Sequence, residues 1–166
     1  VAGVEVEVRK NLFVRPLSSA ANGMNKLSFG LNGSYIYTNA KMPLATVTTG
    51  SQLEGAAPWI ANFDLSHNFT KGNHSFINTL VFNYVSDKIY TIGTQGYQDI
   101  IEQGMMTLDF VSQAKLNKYV SLTLKARNLL NPSYKLSRKA NESGEKVVLS
   151  DYKKGINISL GVSCTF

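Results

Sequence analysis

Alternation with a period of two, sustained over long runs, is the feature that most constrains this chain. In the last stretch Ile156, Ile158, Leu160, Val162, Cys164 and Phe166 are apolar, while Asn157, Ser159, Gly161, Ser163 and Thr165 between them are small or polar. Successive side chains of a β-strand point to opposite faces, so this pattern predicts a strand with one apolar and one wet face. Six earlier segments alternate in the same sense: residues 3–13, 26–38, 59–69, 74–90, 105–116 and 119–130. In the first, Val4, Val6 and Val8 oppose Glu5, Glu7 and Arg9; in the fifth, Met106, Leu108 and Phe110 oppose Thr107 and Asp109. The fourth is mixed on its second face, where Ile77 and Val81 sit among Thr79 and Asn83. No segment carries a persuasive helical period.

These runs are mostly ten to thirteen residues long, against about five or six in globular strands and about nine to eleven in a tilted strand crossing a bilayer. The wet face is built of small polar residues, as in a membrane barrel, where a soluble sandwich would carry more Lys and Glu. Short turns at 70–73 and 117–118 alternate with long connections at 39–58, 91–104 and 131–155. Outer-membrane barrels alternate turns and loops in this way. The connection 14–25 is the misfit, a dozen residues where a short turn is expected. Tyr35, Tyr37, Trp59, Tyr84 and Tyr90 gather at one set of strand ends, and Phe69, Phe76, Tyr119 and Phe166 at the other. Two aromatic belts are expected where rings meet lipid headgroups. The expected fold is therefore all-β: an antiparallel up-and-down transmembrane β-barrel. Bacterial barrels close with an even number of strands, at least about eight. Seven spanning strands thus predict the C-terminal section of a larger barrel, and the start at Val1, already next to a strand pattern and without a targeting signal, agrees with a fragment.

Composition removes several function classes. Mean hydropathy is close to zero, at −0.09, which is what a lipid face and a wet face average to. The net charge of +6 invites a nucleic-acid reading, but no helix stripe or nucleic-acid signature accompanies it. A single cysteine excludes an intramolecular disulfide, and two histidines make a poor metal site. Neither a cofactor nor a metal is expected. No nucleophile elbow, phosphate loop or zinc-protease motif is present, so the chain does not read as an enzyme. Asp64 and His67 look like a dyad, yet their spacing on a strand sends them to opposite faces.

Several stretches, in order, resemble the late barrel of TonB-dependent outer-membrane receptors. They are Gly3-Val4-Glu5-Val6-Glu7-Val8-Arg9-Lys10-Asn11-Leu12, then Tyr84-Val85-Ser86-Asp87-Lys88-Ile89-Tyr90, then Gly96-Tyr97-Gln98-Asp99-Ile100-Ile101-Glu102-Gln103. The most specific is Lys125-Ala126-Arg127-Asn128-Leu129-Leu130-Asn131-Pro132-Ser133-Tyr134, similar to the family's penultimate-strand signature. The resemblance implies a barrel of about 22 strands with a plug in its lumen. It also implies TonB-driven uptake of a scarce nutrient of the siderophore, cofactor or glycan class, in the outer membrane of a Gram-negative bacterium. Implied partners are the rest of the barrel and its plug, lipopolysaccharide, the barrel-assembly machinery, TonB through an N-terminal part, and a surface lipoprotein. The sequence here holds neither plug nor TonB box.

Phe166, a terminal aromatic closing an alternating strand, is the candidate assembly signal, and Phe166→Ala is expected to lower outer-membrane yield. Glu5, Glu7, Arg9, Asp109, Lys125 and Arg127 are expected as lumen-wall charges, with an ion pair from Asp109 to Lys125 or Arg127 across the hairpin. Lys135, Arg138, Lys139, Lys146, Lys153 and Lys154 are expected in one outward basic loop. Two rivals remain open: another outer-membrane barrel, such as a porin or a small structural barrel, and a secreted soluble β-sandwich binding module.

Overall fold

The computed structural model describes residues 1–17, 23–39, 52–94, 96–140 and 144–165. Among them the chain is all-β and antiparallel, with no helix. Seven long strands form one sheet: β1 (Ala2–Pro16), β2 (Met24–Tyr37), β3 (Trp59–Lys71), β4 (His74–Val85), β7 (Met105–Lys115), β8 (Val120–Arg127) and β11 (Asn157–Cys164). They lie side by side in chain order, an up-and-down meander. The sheet is not closed: β1 and β11 are its two edges.

Register keeps the two faces distinct across the whole sheet. Val8, Leu31, Phe63, Phe82 and Leu108 follow one another on successive strands, as do Phe29, Leu65, Leu80, Phe110 and Ala126. The ambiguous fourth segment thus shows Phe76, Leu80, Phe82 and Tyr84 to the apolar side, and Ile77 and Val81 to the wet side. On the wet side, small polar residues meet across strands. Asn62 donates to Asn32 at 3.3 Å, Asn83 to Thr107 at 3.2 Å, and the hydroxyls of Ser66 and Thr79 lie 2.8 Å apart. Such cross-strand pairs are the unit of sheet stabilisation.

The sheet is a single layer. The only buried apolar residues among those described are Ala57 and Ile89, and neither lies in the seven-stranded sheet. Val4 stays 67% exposed and Leu160 71%. A soluble β-domain buries one face of its sheet under a second layer, and none among the described residues covers this apolar face.

Three expectations change. The fourth segment does not run to Tyr90: the long strand stops at Val85, and Lys88–Thr91 is a separate strand, β5. The long connections at 91–104 and 131–155 are not plain loops. With β5 they form a second sheet with β6 (Ile100–Glu102), β9 (Ser133–Lys139) and β10 (Lys146–Lys153), in the order β10-β9-β6-β5. Hairpin β5–β6 rises from β4 and β7, hairpin β9–β10 rises from β8 and β11, and the two join by pairing Ile101 with Ser137 and Glu102 with Leu136. The misfit at 14–25 also shrinks. An extra residue, Leu12, bulges between the rungs Asn11–Ser28 and Phe13–Leu27, so the alternation slips by one while the strand continues to Pro16.

Candidate functional site

The wet face and the second sheet meet where β8 ends, and the local sequence explains how. Asn128 and Asn131 both take left-handed backbone angles, at φ 59° and 45°, a region asparagine tolerates better than most residues. Asn128 donates its side-chain amide to the Gly155 carbonyl at 2.7 Å, and the Gly155 N–H donates to the Asn131 side chain at 3.1 Å. The Asn128 N–H donates to Asp109 Oδ1 at 2.8 Å, and the Asn131 N–H to the Asn128 carbonyl at 2.9 Å. The penultimate-strand motif is therefore a corner that releases the chain from β8 and ties the start of β11 to it.

Beside this corner lies a cleft of about 380 Å³, lined among others by Thr107, Asp109, Arg127, Tyr134, Lys154 and Asn157. The Lys154 ammonium stands 5.2 Å above the Tyr134 ring. Asp109 spends its carboxylate oxygen on the corner, so the expected ion pair to Lys125 or Arg127 does not form; the described residues hold three ion pairs, and none involves Asp109. Arg127 reaches the cleft, while Lys125 sits opposite Val111 and Ser159 on the same face.

The charges of β1 form a second, smaller cleft of about 260 Å³. Glu7 pairs with Arg9, and Glu5 accepts from Asn32 at 2.6 Å. Gly30 stands between Arg9 and Asp64 in register, and a Cβ there would lie 2.3 Å from Asp64 Oδ1. The absent side chain is what lets the Asp64 carboxylate lie flat over β2 toward Arg9. His67 is on the other side of the sheet, 2.8 Å from Asn25, so Asp64 and His67 form no dyad.

The outward basic loop is a hairpin, not a loop. Lys135 pairs with Asp151 at 3.1 Å across β9–β10, which holds the Asp151 carboxyl below the usual carboxylate range. Arg138 lies 5.1 Å from the Tyr97 ring, Lys139 faces Lys146 in register, and Lys153 faces Ser133. The polar residues on both faces of β9 and β10 hid these strands from a pattern search. Phe166 lies outside the described residues.

Sequence reasoning quoted several residues here without seeing their work. Glu102 takes Lys88 at 3.3 Å and the Tyr134 hydroxyl at 3.1 Å, tying the two hairpins together. Desolvation at this half-buried position, then the bond to Glu102, pushes the Tyr134 phenol up to about 12. Ser86 accepts from the Trp59 N–H at 3.0 Å and Asp87 from the Gly104 N–H at 2.6 Å, fixing the point where β4 gives way to β5 and β7 begins. The signal was the Tyr84–Tyr90 motif itself, whose polar residues interrupt an apolar strand.

Comparison with family models, with curated proteins and with solved structures finds no match to this chain.

Proposed function

We propose that this chain is the C-terminal wall and part of the outer mouth of an outer-membrane β-barrel, and, more particularly, of a TonB-dependent transporter. The observation that carries the first step is the single-layer meander with one continuous apolar face, one hydrogen-bonded wet face and two open edges. An apolar face without a covering layer is stable against lipid, and open edges in lipid leave backbone groups unsatisfied unless further strands close the sheet. The second step rests on the order of the motifs and on the structural roles their polar residues have at the corner and the crossing.

In this reading the second sheet stands over the extracellular end, and the cleft with Arg127 and Lys154 faces the solute path. Its two cations, with Asp109 held by the corner, favour a solute carrying carboxylate, phosphate or catecholate oxygens. The chain supplies wall, mouth and assembly signal, and energy coupling comes from a plug and TonB.

Fractionation of cells expressing the intact protein tests the first step. The protein is expected in the outer membrane, extractable only with detergent, and to migrate faster on gels unheated than boiled. Recovery from the aqueous fraction as a stable monomer overturns the reading. Uptake of candidate solutes with and without TonB tests the second step; uptake unaffected by loss of TonB leaves a passive barrel.

A further inference from the structure

The hairpin turns β1–β2, β3–β4 and β7–β8 all lie at the end of the sheet away from the second sheet. That end has an unusual charge distribution. Arg15 and Lys26 stand near the last rungs of β1–β2, Lys71 at the last rung of β3–β4, Lys115 at the last rung of β7–β8, and Lys118 in its turn. Lys10 is not part of this rim: it sits at mid-strand opposite Phe29, six residues short of Pro16. The sequence has no Asp or Glu at 8–53, 65–86 or 110–141, the stretches that pass through these turns. None of the five rim cations, Arg15, Lys26, Lys71, Lys115 and Lys118, forms an ion pair with an Asp or Glu among the described residues.

Unneutralised cations at one edge call for an anionic partner, and what stands next to them selects it. The Arg15 guanidinium lies 5.6 Å from the Phe13 ring and the Lys118 ammonium 4.7 Å from the Tyr119 ring. Phe69 and Phe76 pair at 6.5 Å two rungs inside Lys71 and His74. Cations interleaved with rings, where an apolar face ends, match the level of lipid phosphates: rings settle at the boundary and long basic chains reach past it. A nucleic acid or an acidic protein would find these charges spread along a thin edge, where the cleft of about 260 Å³ between Ser75 and Thr123 holds Lys115 as its one cation.

We infer that the turn rim binds the phosphates of anionic phospholipids in the leaflet it adjoins, and so fixes the height of the sheet in the membrane. This rests on the barrel reading above. Each cation near an anionic surface is worth about fivefold in affinity, weakened by salt.

The test uses the intact protein in neutral detergent, mixed with phosphatidylglycerol or with phosphatidylcholine, with retained lipid counted by mass spectrometry. Phosphatidylglycerol should be retained in excess of about tenfold. Lys71→Gln, Lys115→Gln and Lys118→Gln together should abolish the excess, and Lys135→Gln, Arg138→Gln and Lys139→Gln at the other end should leave it. Equal retention of the two lipids, or an excess that survives the turn substitutions, overturns the proposal. So does equally tight binding of soluble polyglutamate to the same rim, which would assign it to an acidic protein. Should the turn variant fail to fold, the excess in the native protein must still fall between low and high salt. A protein that stays monodisperse without detergent removes the barrel reading itself; one that needs detergent but shows no preference removes only the phosphate rim.

Discussion

Asn128 and Gly155 hold each other across 27 positions of sequence: the Asn128 side-chain amide donates to the Gly155 carbonyl at 2.7 Å. Both residues are left-handed, Asn128 at φ 59° and Gly155 at φ 84°. The contact closes the base of the β9–β10 hairpin and brings β11 alongside β8.

Asn128→Ala removes that bond and places a residue without asparagine's tolerance in a left-handed angle. The expected loss is about 1–3 kcal/mol, read from the urea midpoint of the intact protein. Gly155→Ala tests the angle alone, because a Cβ there meets nothing within 4 Å. It should cost about 1–2 kcal/mol. Unchanged midpoints for both would show that the corner contributes nothing to stability.

Gly30 and Asp64 give a coupled prediction. A Cβ on Gly30 would crowd the Asp64 carboxylate, the end of a side chain that can turn aside, so Gly30→Ala should cost about 1 kcal/mol. In an Asp64→Ala background the same change should cost clearly less, since the crowded atoms are gone. Equal costs in both backgrounds would mean that the carboxylate does not occupy the space over Gly30.

The seven long strands were legible because an apolar face alternating over eight or more residues is the pattern of a β-strand with two unlike faces. Length decided what was missed. Strands β5 and β6 have four and three residues, too few for a period to show. In β9 and β10, Lys, Arg, Ser and Asp occupy both faces, so there was no contrast to read. The bulge at Leu12 hid the end of β1 by shifting its phase. At the site, the Asn128–Asn131 motif was visible as a motif, but its role depends on two backbone angles and on a glycine far along the chain. The Asp109 ion pair failed for a related reason: same-face reasoning sees side chains and not the competing N–H of Asn128.

Tyr134 predicts a dependence on high pH. Its phenol is raised from 10.0 to about 12, first by desolvation and then by the bond to Glu102. The folded form keeps the proton where the unfolded chain releases it. The contribution to stability is thus full below pH 10 and is lost as pH rises toward 12. The difference in phenolate absorbance between the native protein and Tyr134→Phe should show Tyr134 still protonated at about pH 11. Glu102→Gln should bring its midpoint down. A Tyr134 midpoint at the ordinary value would remove the Tyr134–Glu102 bond and leave the hairpins joined by the β6–β9 pairing alone.

The two faces of β11 give the sharpest test of orientation. Leu160 lies on the apolar face opposite Leu124, and Ser159 on the wet face opposite Lys125. If lipid covers the apolar face, Leu160→Arg places a charge in hydrocarbon, at a cost of about 2–4 kcal/mol near the midplane. Ser159→Arg adds the same charge to a watered wall, where only repulsion from Lys125 opposes it. Folded protein recovered from the outer membrane should therefore fall steeply for Leu160→Arg and little for Ser159→Arg. Equal yields would mean that neither face meets lipid, and the reverse order would turn the sheet inside out.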